Sequence, residues 1–124
     1  MPKPGETGFA RIYSATRYSW QGLTATWENE SAFRQECVLA AVLTPVAGLL
    51  AENVTQWILL TAVMAVVLIT ELLNSAVESV VDRVGDEMHE LSGRAKDQGS
   101  AAVFVSLSLA VFVWSSIVVA NFLI

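Results

Sequence analysis

Three long apolar stretches dominate the sequence and leave little room for any fold other than a bundle of membrane-crossing helices. They lie at residues 31–50, 57–81 and 100–124. A helix of 20 residues is about 30 Å long, which matches the hydrocarbon thickness of a bilayer. Charged residues make up only 15% of the chain, whereas soluble domains contain about 25%. The sequence therefore predicts an all-α integral membrane protein with one membrane domain over residues 1–124.

The segment from residue 8 to residue 28 has a different pattern. Apolar and aromatic side chains recur there at three- and four-residue steps, among them Phe9, Tyr13, Trp20 and Trp27. Such a helix is amphipathic and too polar to span, and its aromatic side chains suit the headgroup level. The alternative is a soluble helix that packs on the rest of the protein, but little soluble protein remains for it. We therefore expect a helix that lies on the membrane surface.

The basic residues indicate how the chain is oriented. In a three-span arrangement all seven lie on one side of the membrane: Lys3, Arg11, Arg17, Arg34, Arg83, Arg94 and Lys96. Cytoplasmic loops carry an excess of Lys and Arg. We therefore expect the N-terminus and a polar connection over 83–99 in the cytoplasm, and the C-terminus on the opposite side. With a net charge of −5, we expect no nucleic-acid partner.

A row of polar side chains interrupts the last third of the second apolar stretch. At about 100° per residue, Glu71, Asn74, Ser75, Glu78 and Asp82 fall on one stripe of a helix. An ionisable side chain inside a membrane span is costly and usually functional. This stripe is therefore the first candidate for an active or binding site.

Depth along the helix separates the acids of this stripe. Glu71 lies about 21 Å beyond Trp57, and Glu78 about 10 Å further, at the cytoplasmic interface. Glu30, at the head of the first span, comes to the same level as Glu78. Two such carboxylates suit Mg²⁺, which also retains waters and phosphate oxygens, so a nucleotide is the implied ligand. These residues alone leave a metal-dependent kinase and a non-enzymatic ion-translocating or scaffold protein both open.

Longer motifs narrow this choice. The segment 71–83 resembles the signature of the prokaryotic diacylglycerol kinases, and further blocks at 8–12, 18–23, 29–36 and 89–102 resemble the same family in the same order. The resemblance implies a small homotrimeric enzyme of the bacterial inner membrane, with a surface helix, three spans and a periplasmic C-terminus. It also implies transfer of the γ-phosphoryl group of Mg²⁺-bound ATP to the hydroxyl group of diacylglycerol, which yields phosphatidic acid.

The resemblance assigns roles to individual residues. It implies Glu71 as the general base, supported by Asn74, and implies Glu30 and Glu78 as ligands of Mg²⁺. The residues implied for nucleotide binding are Arg11, Tyr18, Glu30, Glu78, Glu87, His89, Lys96 and Asp97. Those implied for the lipid substrate are Arg11, Trp20, Ser31, Arg34, Gln35, Glu71 and Ser100.

One related activity fits the same acids. An undecaprenol kinase would share the motif, because undecaprenol and diacylglycerol both present a hydroxyl group at the membrane interface. The amphipathic block with its Trp residues favours diacylglycerol. A non-enzymatic membrane protein would show no ATP turnover and would have no use for the segment 94–99.

Overall fold

Four helices make up the part of the chain that the computed structural model describes, which is residues 5–85, 87 and 89–124. They are α1 (Gly8–Asn29), α2 (Ser31–Leu50), α3 (Val54–Val84) and α4 (Glu90–Phe122). No strand occurs within those ranges, and the predicted all-α fold is confirmed. By length and composition, α2, α3 and α4 can each cross a membrane. Lys3, which contributed to the predicted orientation, lies outside the described residues.

The helices extend further into polar sequence than the apolar stretches predict. α3 begins at Val54 instead of Trp57, and α4 begins at Glu90, inside the segment predicted as a connection. The start of α4 is capped by His89, whose Nδ1 accepts a hydrogen bond of 3.0 Å from the backbone N–H of Leu91. Histidine is not among the residues that usually signal a helix start. The polar residues that follow are compatible with a helix, so α4 is longer than the apolar stretch that predicted it.

A single residue, Glu30, separates α1 from α2. Its backbone is extended, with φ −121° and ψ 107°. Its N–H donates to the carbonyl of Thr26 (2.9 Å), and its own carbonyl accepts from the N–H of Arg34 (3.3 Å). The guanidinium group of Arg34 donates to the carbonyls of Trp27 (2.6 Å) and Glu28 (3.3 Å). Because these carbonyls would otherwise lack partners at the helix end, Arg34 stabilises the corner that holds Glu30.

A small buried apolar cluster lies towards the end of the bundle remote from Glu30. Ala47, Leu60 and Ile117 form it, one residue from each spanning helix, and Trp114 packs against them. The indole N–H of Trp114 donates to the carbonyl of Leu60 at 3.1 Å. α3 packs chiefly on α4 and less extensively on α2. The bundle is therefore organised around α3, the helix that carries the acidic stripe.

Large apolar side chains are exposed along the spanning helices. Leu49 is 85% exposed and Phe104 is 71% exposed. In water such exposure would be unfavourable, whereas in a bilayer these side chains contact hydrocarbon. The distribution of exposed side chains is thus that of an integral membrane protein.

A pair of amide side chains joins the ends of the spanning helices on the side remote from Glu30. Asn121 donates through Nδ2 to the carbonyl of Leu50 (2.9 Å) and to Oε1 of Gln56 (2.8 Å). Gln56 donates in return through Nε2 to Oδ1 of Asn121 (3.1 Å). Its Oε1 also accepts from the N–H of Glu52 (2.9 Å). These bonds tie the last turn of α4 to the turn between α2 and α3.

We expect the substitution Asn121→Ala to lower the free energy of unfolding by about 1–2 kcal/mol, because it removes three hydrogen bonds between helices. To measure this loss, the protein is unfolded in mixed micelles by increasing concentrations of a denaturing detergent, and circular dichroism monitors the helix content. The matched control is Ser108→Ala in the same helix, since Ser108 is exposed and bonds only to the carbonyl of Phe104. Equal effects of the two substitutions would contradict the prediction.

Candidate active site

Three carboxyl groups, from the α1–α2 corner, from α2 and from α3, lie around that of Glu71. Glu71 is only 8% exposed, although it lies on a helix whose surroundings are mostly open. Its carboxyl group lies within hydrogen-bonding reach of that of Glu36 on α2, and it is close enough to Glu30 and Glu78 to feel their charges. Glu71, Glu78 and Glu30, which the sequence singled out, are thus neighbours in the fold.

Two side chains of α3 hold the outer carboxylates. The hydroxyl group of Ser75 donates to Oε1 of Glu30 at 3.2 Å. The Asn74 side chain donates through Nδ2 to Oε1 of Glu78 at 3.5 Å. Since Ser75 and Glu78 are three residues apart on one helix, their side chains share a face. The corner between α1 and α2 therefore brings the Glu30 carboxylate onto the face of α3 that carries Glu78.

This donor set fits a metal ion that arrives with a nucleotide. Within the described ranges, no three His, Cys, Asp or Glu side chains form a ready metal cage. Mg²⁺ is usually held by one or two protein carboxylates together with water and phosphate oxygens. Glu30 and Glu78 would supply the two carboxylates, and the remaining positions would be filled by phosphate oxygens and water.

Glu36 is a member of the cluster that sequence reasoning missed. Glu36 lies in the block 29–36 that resembles the kinase family, but the sequence predicted no role for it. In the structure its Oε2 is shielded from solvent and accepts no hydrogen bond from any described donor. Neighbouring carboxylates repel each other when both are charged. The sequence did offer one signal of a role for Glu36: it is a charged residue in an apolar helix, and no basic residue lies one turn away from it.

A polar cleft of about 620 Å³ lies where α3 ends and α4 begins. Asp82, Glu87, His89 and Lys96 are among the residues that line it. Lys96 and Asp82 form an ion pair across the cleft, with Nζ and Oδ1 2.8 Å apart, and both side chains are largely exposed. The cleft brings three of the predicted nucleotide residues together at the end of α3 that follows Glu78.

Other predicted site residues lie elsewhere in the single chain. Asp97 lines a separate cleft with Arg94 and Gln98 on another side of α4. Arg11 and Trp20 are exposed on α1, whose one buried residue within the described ranges is Thr26 near its end. Arg34 caps α1, as described above. The remaining predicted site residues are half-buried or exposed: Tyr18, Ser31, Gln35 and Ser100.

The sequence is similar to those of known proteins. The model of the prokaryotic diacylglycerol kinase family matches residues 17–118. The chain belongs to this family. The diacylglycerol kinase of Haemophilus influenzae is 51% identical over 111 residues, which cover 90% of this chain and 94% of that protein. The diacylglycerol kinase of Escherichia coli K12 is 50% identical over 117 residues, which cover 94% of this chain and 95% of that protein. The diacylglycerol kinase of Pseudomonas aeruginosa PAO1 is 49% identical over 116 residues, which cover 94% of this chain and 94% of that protein.

Membership in the prokaryotic diacylglycerol kinase family confirms the resemblance seen in the collinear motif blocks. It also confirms the prediction of a membrane enzyme of the kinase class. Together with three apolar helices, it identifies an integral protein of a prokaryotic membrane. The roles of individual acids stay predictions that variants can test.

Close contact between α3 and α4 positions Asn74. Gly99 of α4 lies directly against the Asn74 side chain, and a Cβ atom at residue 99 would overlap Oδ1 of Asn74 and lie 3.2 Å from its Cγ. This Oδ1 is buried and accepts no hydrogen bond from the described residues. Gly99 thus permits the helix spacing at which the Asn74 amide faces Glu78.

We expect Gly99→Ala to lower the turnover of this kinase by about 10- to 100-fold, because it displaces the Asn74 side chain from Glu78. Steady-state phosphoryl-transfer kinetics measure this change. The control is Gly48→Ala, since a Cβ atom there would meet only the indole nitrogen of Trp57, at 4.0 Å. Turnover of Gly99→Ala equal to that of Gly48→Ala would rule out the positioning role.

Proposed function

We propose that this chain transfers the γ-phosphoryl group of ATP to the free hydroxyl group of diacylglycerol, yielding phosphatidic acid and ADP. The observation that carries the proposal is the buried carboxyl group of Glu71. It lies between the apolar part of α3 and the outer carboxylates of Glu30 and Glu78. A lipid hydroxyl group can reach it from the membrane, and a phosphoryl donor can approach from the polar side.

Glu71 is the proposed general base. It accepts the proton of the lipid hydroxyl group as the oxygen attacks the γ-phosphorus, and the bond to the β,γ-bridging oxygen breaks. Its burial keeps water away from the reacting oxygen, which limits hydrolysis of ATP. Asn74 supports the arrangement by donating to Glu78, so that the carboxylate keeps a fixed orientation.

Glu30 and Glu78 are the proposed ligands of Mg²⁺ that accompanies ATP. When bound, the ion offsets the negative charge of the phosphate oxygens. Lys96 and His89, at the cleft where α4 begins, supply groups that bind phosphate or base, together with Arg11, Tyr18, Glu87 and Asp97. This assignment places nucleotide recognition at the polar end of α3, one helical turn or more beyond Glu71.

The remaining proposals concern the membrane and the assembly. The lipid substrate is bound by Glu71 together with Arg11, Trp20, Ser31, Arg34, Gln35 and Ser100. The distribution of basic residues supports a cytoplasmic N-terminus and active site, with the C-terminus in the periplasm. A homotrimer is the assembly that the family resemblance implies. Arg11 and Trp20, which are exposed in one chain, would then meet the acids of a neighbouring copy.

Purified protein in mixed micelles, incubated with ATP radiolabelled at the γ-phosphate, tests the proposed function directly. Diacylglycerol and undecaprenol are offered in parallel reactions with and without Mg²⁺. We expect label in phosphatidic acid, only when Mg²⁺ is present. Label in undecaprenyl phosphate alone would reassign the substrate, and the absence of any labelled lipid would overturn the kinase activity.

A further inference from the structure

An open cleft of about 300 Å³ lies at the turn between α2 and α3, at the end of the bundle remote from Glu30. Gly48, Glu52, Asn53 and Trp57 are among the residues that line it. Because α2 has 20 residues and is about 30 Å long, its two ends lie at the two surfaces of the hydrocarbon layer. The corner at Glu30 occupies one surface, so the cleft lies among the lipid headgroups of the other.

The carboxylate of Glu52 makes no hydrogen bond or ion pair with the part of the chain that the structure describes. The described Lys and Arg residues lie on α1, in the first turn of α2, at the end of α3 and in the first two turns of α4. None of them lies at the turn that carries Glu52. Since charges attract each other more strongly near a membrane than in bulk water, the group that complements Glu52 in this cleft is a cation.

Two side-chain N–H donors line the same cleft and bond to no described acceptor. They are Nδ2 of Asn53 and the indole Nε1 of Trp57. The Asn53 side chain keeps a fixed orientation, because its Oδ1 accepts from the backbone N–H of Gln56 at 2.9 Å. The indole nitrogen lies beside Gly48, where a Cβ atom would be 4.0 Å from it. Two such donors complement an anion with several acceptor oxygens, such as a phosphate group.

A phosphoethanolamine headgroup has both kinds of charge. Its ammonium group can donate to the carboxylate of Glu52, and it is attracted to the indole face of Trp57, which is 44% exposed. Its phosphate oxygens can accept from Asn53 and Trp57. An anionic headgroup, by contrast, offers no cation to Glu52. A quaternary ammonium group cannot donate a hydrogen bond and is usually bound by several aromatic rings, whereas the described lining of this cleft contains one, that of Trp57.

We propose that this cleft binds the headgroup of a phospholipid with a primary ammonium group, phosphatidylethanolamine. Glu52 binds the ammonium group, and the side-chain N–H groups of Asn53 and Trp57 bind the phosphate. The acyl chains lie against exposed apolar side chains next to the cleft, such as Leu49, which is 85% exposed. This lipid lies across the membrane from the acid cluster, so it is bound without being phosphorylated. The inference goes beyond the proposed function and does not depend on it.

Native mass spectrometry of the protein in detergent, titrated with phosphatidylethanolamine, tests the proposal without any turnover. We expect the wild type to bind this lipid at least about 10-fold more tightly than phosphatidylglycerol or phosphatidylcholine with the same acyl chains. Glu52→Gln and Trp57→Leu should each weaken the binding of phosphatidylethanolamine by about 10-fold or more, because each removes a contact with a charged group. The affinity for phosphatidylglycerol should not fall in Glu52→Gln.

Matched variants control for the loss of a charge and of an indole ring. Glu28→Gln removes an exposed carboxylate of α1, and Trp27→Leu removes a ring that is also 44% exposed. Both should keep the wild-type preference among lipids. Gly48→Leu fills the cleft without a change of charge and should weaken the binding of phosphatidylethanolamine, whereas Gly48→Ala should not. Circular dichroism verifies that each variant is folded, and if Trp57→Leu is not, Glu52→Gln and Gly48→Leu decide the question.

Glycerophosphoethanolamine, the same headgroup without acyl chains, distinguishes a lipid from a soluble compound. It should bind at least about 100-fold less tightly than the phospholipid, because it buries no hydrocarbon. Equally tight binding would assign the cleft to a soluble zwitterion and overturn the proposal.

Two further results would overturn the proposal. One is equal affinity of the wild type for phosphatidylethanolamine and phosphatidylglycerol. The other is an affinity of Glu52→Gln for phosphatidylethanolamine within about two-fold of the wild type. None of these measurements requires kinase activity, so failure of the proposed function would leave the inference intact. Turnover in micelles that contain no phosphatidylethanolamine should be the same in Glu52→Gln and the wild type.

Discussion

Glu71→Gln should lower the turnover of phosphoryl transfer by about 10²- to 10⁴-fold, the usual contribution of a positioned general base. Glutamine keeps the size of the side chain and one of its acceptor atoms, but it cannot take the proton of the lipid hydroxyl group. Turnover is measured with radiolabelled ATP and diacylglycerol at saturating concentrations of both. Because Glu71 is proposed to act on the lipid and not on the nucleotide, the dissociation constant of Mg²⁺-bound ATP should remain close to that of the wild type.

The control for Glu71→Gln is Glu52→Gln, an acid of the exposed turn between α2 and α3, remote from the acid cluster. It should retain full turnover. A detergent-unfolding midpoint for Glu71→Gln equal to or above that of the wild type would exclude misfolding as the cause of lost activity. Turnover of Glu71→Gln within a few-fold of the wild type would remove Glu71 as the base and direct attention to Glu36, its closest acidic neighbour.

Glu78→Gln should raise the Mg²⁺ concentration needed for half-maximal activity by at least about 10-fold. Residues that only hydrogen-bond to a metal ligand change metal affinity by about 10- to 100-fold when they are replaced, and a direct ligand should matter at least as much. The measurement is a Mg²⁺ titration of activity at fixed ATP, with Mn²⁺ in parallel. Partial recovery of activity at high metal concentration is expected, since the Glu30 carboxylate and the phosphate oxygens remain.

Glu28→Gln is the control that tests which acid near the α1–α2 corner serves the metal. Glu28 is exposed on α1, two residues before Glu30, and only its backbone carbonyl takes part in the corner, as an acceptor for Arg34. Its substitution should leave the Mg²⁺ titration unchanged. An unchanged titration in Glu78→Gln would count against ligation by Glu78, whereas a shift in Glu28→Gln would move the metal site towards α1.

The apolar stretches were sufficient to predict the three long helices, because a segment that crosses a membrane must satisfy its backbone hydrogen bonds internally. The same signal does not locate the start of α4, which begins at Glu90. An apolar stretch indicates which residues suit the hydrocarbon of a membrane. The helix itself begins at its capping residue, which here is His89. The polar residues from Glu90 to Gly99 form the first turns of α4.

The acids of one helix could be predicted as a group, since their spacing alone puts Glu71 and Glu78 on one stripe. Contacts between helices needed the fold. The bond from Ser75 to Glu30 depends on the angle between α1 and α2, and the approach of Glu36 to Glu71 depends on the rotation of α2 about its axis. Gly99 gave no local signal at all, because its importance lies in how closely α4 approaches Asn74.

The corner at Glu30 also has a mechanical consequence. α1 and α2 are joined with no flexible linker, since Glu30 completes the hydrogen bonding of one helix and begins that of the other. If the angle of α1 on the membrane surface changes, the torsion angles of Glu30 must absorb the change, and its carboxylate must turn with them. If Glu30 binds Mg²⁺ and α1 lies on the membrane surface, as proposed, a change in lipid packing beneath α1 is expected to change the Mg²⁺ concentration that the enzyme needs.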